Sequence, residues 1–498
     1  MSVTIRFFCL LLIMTAFFTS PSMALELYVD KDTQQVYAAP GKNRVKLGEF
    51  ERKQDIEELE AKLRAEIEEE FSLKYGIVSE MQSSDKQNDA VLANSRTTDD
   101  SRTKTALKEN KSASDANISY GQNGFTFSTD NENFSLAIQN RIQARFATPF
   151  DSDPRTLDDL QRDQNSFMIR RARTKLRGHA YVPWLKYYLQ YDWAQPVLRD
   201  LNLTIDKYKW AQVRIGRGKV SYNNERVTSS GKQQFVNRSI VNDIFTVDRQ
   251  QGIEVKGNLF PSAWHDITYY AGVFTGLGVG ERNNDDDNLM YSGRLQWNAL
   301  GGEMKFSQSD LTFHEQPALN ISIAANTNTS RCTAFETDNR SCRRLTDVDT
   351  NGVAKYRDPS TDAQNGQYKI DQIMGEIQFK WQGFSFLHEL HSKKIKDTLN
   401  NDEEATLLGG FVQAGFFPHY HMEFLSPQVE LAARYAFVDM NTDRSSDKQT
   451  ELSTVINYFL DGHSSKISLQ LSHLTLQDPI LLKEDSENRL WAQWDFSF

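Results

Sequence analysis

The chain has 498 residues, with 57 Lys and Arg against 67 Asp and Glu and a formal net charge of −10. After residue 24 there is no uninterrupted apolar run of the roughly eighteen residues that a spanning helix needs, which excludes a helical inner-membrane bundle. Eleven per cent aromatic residues and only twelve prolines suit a chain of many strands, barrel strands included, because their alternating character leaves a weak hydropathy signal.

The first residues carry one cation, Arg6, then FFCLLLIMTAFF, then Pro21-Ser22-Met23-Ala24 with small residues where a signal peptidase reads. Residues 1–24 therefore read as a secretory signal peptide, too short to span a bilayer, with cleavage expected after Ala24. Residues 25–50 read as two short strands broken at Pro40-Gly41, a hairpin-like segment. Across 51–75, Ile56, Leu59, Leu63 and Ile67 recur at helical spacing among Glu, Lys and Arg. This predicts an amphipathic helix, either packed on its own domain or meeting copies of itself in a short coiled coil. Residues 76–117 read as a polar linker: 79–117 contain no aromatic residue and cannot bury enough apolar area to offset chain entropy.

From Ile118 onward the period becomes two. Phe134, Leu136, Ile138 and Asn140 alternate with Ser135, Ala137, Gln139 and Arg141. Residues 167–178 read FMIRRARTKLRG, with five cations between Arg170 and Arg177. On a strand, Arg171, Arg173, Lys175 and Arg177 share one face, and Met168, Ala172, Thr174 and Leu176 share the other, interrupted only by Arg170. Such a ladder needs water or anions in front of it and an apolar neighbour behind. Either it lines an anion path, or its members pair with acids on neighbouring strands and stiffen a wall. If it lines a path, the preference should reside chiefly in Arg171, Arg173 and Lys175. In the following strand Tyr187, Leu189, Tyr191 and Trp193 alternate with Lys186, Tyr188, Gln190 and Asp192. Lys186 and Arg214 are further candidates for a water-filled interior, or else belong to a girdle or loop.

The stretch GKVSYNNERVTSSGKQQFVNRSIVND carries Arg226, Lys232 and Arg238 and is either a constriction loop folded into a pore or a surface loop. Asp285, Asp286 and Asp287 read as a solvated loop, and GLGVG at 276–280 lacks the following helix of a phosphate cradle. An exported, oxidising setting favours pairing of Cys332 with Cys342 as a loop disulfide. His388, His391, His419 and His421 lack a third ligand or a nucleophile nearby, so no metal, cofactor or catalytic residue is expected.

Segments such as GFSFLHELHSKKI, GGFVQAGFFPH and VELAARYAFVDM repeat the half-buried pattern. They fit a soluble sandwich or a closed barrel facing lipid. The ending NRLWAQWDFSF favours the barrel: Leu490, Ala492, Trp494, Phe496 and Phe498 form one apolar stripe, opposite Arg489, Gln493, Asp495 and Ser497. The fold class expected is all-β: a transmembrane antiparallel barrel of about sixteen strands over 118–498, with a helical or coiled-coil N-terminal extension.

In order along the chain, FMIRRARTKLRG, YYLQYD, RIGRGKVSYNNERVTSS at 214–230, ITYYAGVFTGLG, MYSGRLQW, GGFVQAGFF and VELAARY resemble the phosphate-selective porin O and P family of Gram-negative outer membranes. The resemblance implies a sixteen-stranded barrel, usually a trimer, with arginines lining a constriction and lysines in the funnels. Arg170 and Arg171 match the family's arginine doublet, and Asp192 matches the acid facing it. The chain departs from the family pattern at Arg217-Gly218 and at Asp285, Asp286 and Asp287. The function expected is passive, anion-preferring uptake of phosphate or related oxyanions. A general porin, a barrel sheathing a partner protein and an outer-membrane hydrolase are the alternatives. Expected partners are outer-membrane lipid and lipopolysaccharide, small anions such as phosphate, two further copies in a homotrimer with the N-terminal region periplasmic, and the barrel assembly machinery; no nucleic acid is expected.

Overall fold

The computed structural model describes residues 28–30, 36–37, 44–46 and 116–498, except 152–156, 158–159, 161–162, 280–282, 336–362, 400–402, 421, 423 and 479–481. The predicted signal peptide, the helix over 51–75, the linker up to 115 and Cys342 lie outside the described residues. Two units are present, residues 1–107 and 108–498. In the first, β1 (Tyr28–Asp30) lies between β2 (Val36–Tyr37) and β3 (Arg44–Lys46) as a three-stranded antiparallel sheet. The two strands expected on either side of Pro40-Gly41 are thus three, because the first one turns back on itself.

The second unit opens with a hairpin, β4 (Ala116–Gly121) and β5 (Gly124–Thr129). The barrel itself is sixteen strands. They begin with β6 (Ser135–Thr148), β7 (Ser166–His179), β8 (Leu185–Asp192), β9 (Val197–Tyr208), β10 (Ala211–Lys219) and β11 (Arg249–Leu259). Next come β12 (Ile267–Phe274), β13 (Met290–Leu300), β14 (Ala318–Ser330), β15 (Tyr368–Trp381) and β16 (Phe384–Asp397). The last five are β17 (Glu403–Phe416), β18 (Val429–Asp439), β19 (Lys448–Asp461), β20 (Ser465–Asp478) and β21 (Lys483–Ser497).

Each strand pairs antiparallel with the next, and β21 closes on β6, with Trp494 opposite Ala144. The first part of β6 pairs instead with β5, Phe125 opposite Ile138, so the hairpin extends the wall beside the closing seam. Closure removes every free strand edge from the spanning region, which a bilayer requires because it supplies no hydrogen-bond partners.

Along each strand the outward residues are apolar and exposed: Leu201, Leu203 and Ile205 on β9, Ile467, Leu469 and Leu471 on β20, Trp494 and Phe496 on β21. The polar alternates, such as Gln143, Gln470, Gln493 and Asp495, are buried inside. One end of the barrel carries two-residue turns such as Lys209-Trp210 and Gln382-Gly383 and the terminal Phe498; the other carries the long connections, including 220–248 and 331–367. We call these the turn end and the loop end.

The basic strand is not perfectly regular. Gln143 pairs with Arg171 but the next residue, Ala144, pairs with Ile169, so Arg170 is an extra residue in β7, a bulge. Phe167 and Ile169 consequently point outward and are exposed, whereas Met168 lies opposite Arg145 on the inner face. Strict alternation groups Met168 with the outer residues; the bulge reverses it.

The barrel is not empty. The 29-residue connection 220–248 between β10 and β11 lies inside it, carrying two short helices, α1 (Asn224–Val227) and α2 (Ile240–Phe245). Ile240, Val241, Ile244 and Phe245 pack on inward Leu387, Ile395, Leu407, Phe411 and Val438, forming an apolar core within the lumen. Two glycines of β17 make room for it. A Cβ on Gly409 would lie 2.4 Å from the Phe245 ring, and one on Gly415 would lie 2.1 Å from Gln234 Nε2. Cys332 is disulfide-bonded and buried beside Leu277 and Phe335 at the loop end; its expected partner lies outside the described residues.

Candidate functional site

The inserted connection is fastened to one side of the barrel by wall carboxylates that accept its main-chain amides. Neither helix is capped by its own N-cap side chain. Instead Glu376 on β15 accepts Asn224 N–H at 2.9 Å, Glu389 on β16 accepts Glu225 N–H at 2.7 Å, and Glu451 on β19 accepts Ile240 N–H at 3.0 Å. These are the amides a helix start leaves without an intrahelical partner, and negative charge is favoured there. Wall cations complement them by donating to the connection's carbonyls: Lys393 to Ile244, Arg434 to Asn237 and Lys466 to Gln233. The acids are held in turn, Glu376 by both terminal nitrogens of Arg294 and Glu451 by Arg434. Within the connection, burial pushes the Glu225 carboxyl up to about 7, opposed by Arg434 and reinforced by Glu389.

A second segment meets it from the turn end. Residues 301–317, between β13 and β14, fold upward so that Gln308 donates its amide to Lys232 O and accepts Gln234 N–H at 2.7 Å. Ser309 donates to Glu430 and Lys380 donates to Ser309 O, fixing this segment to the same side of the wall.

With that side filled, a passage remains against β7 to β12. It encloses about 400 Å³. Eight cations line it: Arg171, Arg173, Arg214, Lys219, Arg226, Arg238, Arg249 and Lys256, against the two carboxylates Asp200 and Glu254. Several are paired. Arg173 donates to Asp192 at 2.6 Å, Arg214 lies 3.0 Å from Glu254, Arg249 lies 3.0 Å from Asp200, and Arg226 pairs with Asp248. Lys219 and Arg238 instead donate to carbonyls of the connection, Lys219 to Val227 and Thr228, Arg238 to Glu225 and Thr228. Burial draws the Arg238 guanidinium's pKa down, as does Arg226 beside it.

Five of the charged candidates read from the sequence thus meet along one passage: Arg171, Arg173, Arg214, Arg226 and Arg238. The others do not line it. Lys175 donates to Gln139, and Arg177 to Asn123 and Gln139, nearer the turn end. Lys186 pairs with Asp206. Lys232 sits in the connection, exposed, where its carbonyl accepts Gln308 N–H. Arg170 reaches Asp151 at 3.5 Å; burial works to raise that carboxyl, but Arg145 and Arg170 outweigh it and hold it below its usual range. Asp192, which by position matches the acid facing the Arg170-Arg171 doublet, lies 2.6 Å from Arg173 and 3.6 Å from Arg199.

Sequence reasoning missed Lys219, Arg249 and Lys256 in the passage and all the anchoring acids. Strand parity groups Lys256 with inward Glu254 but puts Arg249 on the opposite parity, and nothing local distinguishes an acid that holds the connection from one that pairs along the wall.

A family model described as phosphate-selective porin O and P matches residues 141–498. No curated protein matches. Among solved structures, the chain is similar to the outer membrane channel DcaP of Acinetobacter baumannii at 9% identity and TM-score 0.49, covering 75% of this chain and 99% of that one. It is also similar to OmpT, an outer membrane protein of Vibrio cholerae, at 9% identity and TM-score 0.47, covering 74% and 98%. OprB of Pseudomonas putida is similar at 10% identity and TM-score 0.41, covering 73% and 94%.

Proposed function

The chain belongs to the phosphate-selective porin O and P family, and from that premise we propose that this outer-membrane channel conducts anions in preference to cations. The observation that carries the reading is the excess of eight lining cations over two carboxylates along the passage. Low-dielectric walls focus such a charge and raise the local anion concentration. Guanidinium forks also suit phosphate and related oxyanions, since they donate in pairs. This reading makes the protein a passive channel and not a hydrolase or a sheath for a partner.

The test is the zero-current potential of the purified protein in a planar bilayer across a KCl gradient. Chloride preference is expected, and it should strengthen in dilute salt, because the Debye length is about 10 Å at 0.1 M and about 3 Å at 1 M. A potassium-preferring channel would overturn the reading.

We further propose a homotrimer. Its support is a polar strip on the outer face of the first strands, where lipid would favour apolar groups. Trp193 donates to Thr174, and Thr174 donates to Asn140, all on outward positions. Light scattering in detergent should give three times the protomer mass; a monomer would remove the proposal. In this orientation the turn end and the N-terminal region face the periplasm, the aromatic stripe of β21, near the turn end, meets outer-membrane lipid and, during insertion, the assembly machinery, and the loop end meets lipopolysaccharide at the outer leaflet.

A further inference from the structure

We infer that the passage takes organic anions carrying a flat ring, of the aryl carboxylate or aryl phosphate class, in preference to a bare inorganic oxyanion; this rests on the anion-preferring reading above. The motivating feature is that aromatic rings stand beside cations at both edges of the passage. At one edge Tyr188 on β8 lies opposite Arg177 on β7, whose guanidinium is 5.8 Å from the ring centroid. At the other, Tyr270 on β12 sits in register between Lys256 on β11 and Arg294 on β13. Its ring centroid is 6.4 Å from that of Phe306, over which Arg294 lies at 5.7 Å.

Phe306 does not come from the wall. It is delivered by the 301–317 segment that folds up from the turn end, so a second insertion adds a phenyl ring to the wall tyrosines among the cations. The rings of Tyr188, Tyr270 and Phe306 all line the same space as the cations. Small hydrated ions gain little from such surfaces, whereas a flat ring gains stacking and edge contacts from them. The enclosed volume, about 400 Å³, also falls in the range that holds a small organic molecule, roughly 300–1,000 Å³. A ring against Tyr270 and Phe306 leaves its acidic group beside Lys256, which supplies the charge.

The discriminating measurement is block of chloride current through single channels of the full-length protein by phenyl phosphate and by methyl phosphate, two probes that share a phosphomonoester head and differ in the ring. Phenyl phosphate should half-block at about a tenfold lower concentration, equivalent to ~1.4 kcal/mol. In a Tyr270→Leu, Phe306→Leu double variant that ratio should fall below about threefold, since each aromatic contact of this kind contributes about 0.5–1.5 kcal/mol. Equal half-blocking concentrations in the wild type would overturn the inference, as would a double variant that keeps the full ratio. The wild-type comparison decides even if the variant does not assemble. A chloride-preferring channel without the ring effect removes this inference alone, whereas a potassium-preferring one removes the anion reading first.

Discussion

Replacing Glu376, Glu389 and Glu451 together by alanine should raise single-channel conductance several-fold and abolish most of the ion preference. These three carboxylates hold the starts of both inserted helices across the lumen, at 2.7 to 3.0 Å from main-chain amides. A hydrogen bond to a charged group contributes about 1.5–3 kcal/mol, so losing three removes much of what keeps the connection inside. With the connection displaced, the lumen loses Arg226 and Arg238 from the passage and becomes wide. Leaving Arg294 and Arg434 buried without their acids would also damage the wall, at about 3–5 kcal/mol for each broken pair. A Glu376→Leu, Arg294→Met pair avoids that: it removes one anchor and its cation together and should still raise conductance. Unchanged conductance in both variants would show that the apolar packing of α2 alone holds the connection.

The same anchoring should depend on pH through Glu225, whose carboxyl accepts Ser239 N–H and hydroxyl inside the connection. Its folded pKa, pushed up to about 7 by burial, lies above the ordinary value of about 4.3. The docked form is therefore favoured fully below that ordinary value, and the advantage is lost as pH rises through 7. Openings to the wide state should be more frequent at pH 8 than at pH 5.5, and Glu225→Gln should flatten that dependence. Arg434, Glu389 and Arg238 face the same carboxyl, and they stay in place in that variant.

Replacing Arg171, Lys219 and Arg238 by glutamine should move the zero-current potential in a tenfold KCl gradient from near the anion limit, about 59 mV in size, most of the way to zero. The choice follows the geometry. Lys219 and Arg238 donate to main-chain carbonyls, which do not cancel their charge, and among the described residues no carboxylate stands within ion-pair distance of either. Glutamine keeps a donor for those carbonyls, so the connection is held while the charge goes. The three cations that the strand alone singles out, Arg171, Arg173 and Lys175, should matter less as a set: Arg173 is matched by Asp192 and Lys175 lies outside the passage lining. Arg171, Arg173 and Lys175→Gln should therefore give the smaller shift of the two. An equal or larger shift from that set would mean that the field is set at the β7 wall and not where the wall meets the inserted connection.

The strands themselves were legible. Alternation along β6, β8 and β21 separates outward Leu, Trp and Phe from inward Gln, Arg and Asp, because a strand's two faces are fixed by its own covalent geometry and the apolar one must meet lipid. The aromatic stripe ending at Phe498 pointed to a closed barrel for the same reason, and the four cations sharing a face of β7 could be grouped before any partner was known. What lies inside the barrel could not be read this way.

Whether 220–248 is a surface loop or an inserted one depends on Glu376, Glu389 and Glu451, which are 152 to 211 positions away in sequence from the amides they hold. Those glutamates look like any inward acid of a porin wall until closure brings them opposite the connection. The Arg170 bulge is likewise a property of pairing between β6 and β7, invisible in one strand alone, and it redirected Met168. The 301–317 segment carries no signal for entering the lumen, because its contacts, Gln234, Glu430 and Lys380, exist only once the barrel is closed. By itself the sequence determines which way most strand residues face, because that is local; the tertiary structure alone decides which charges remain unmatched, because matching is made between elements that only closure brings together.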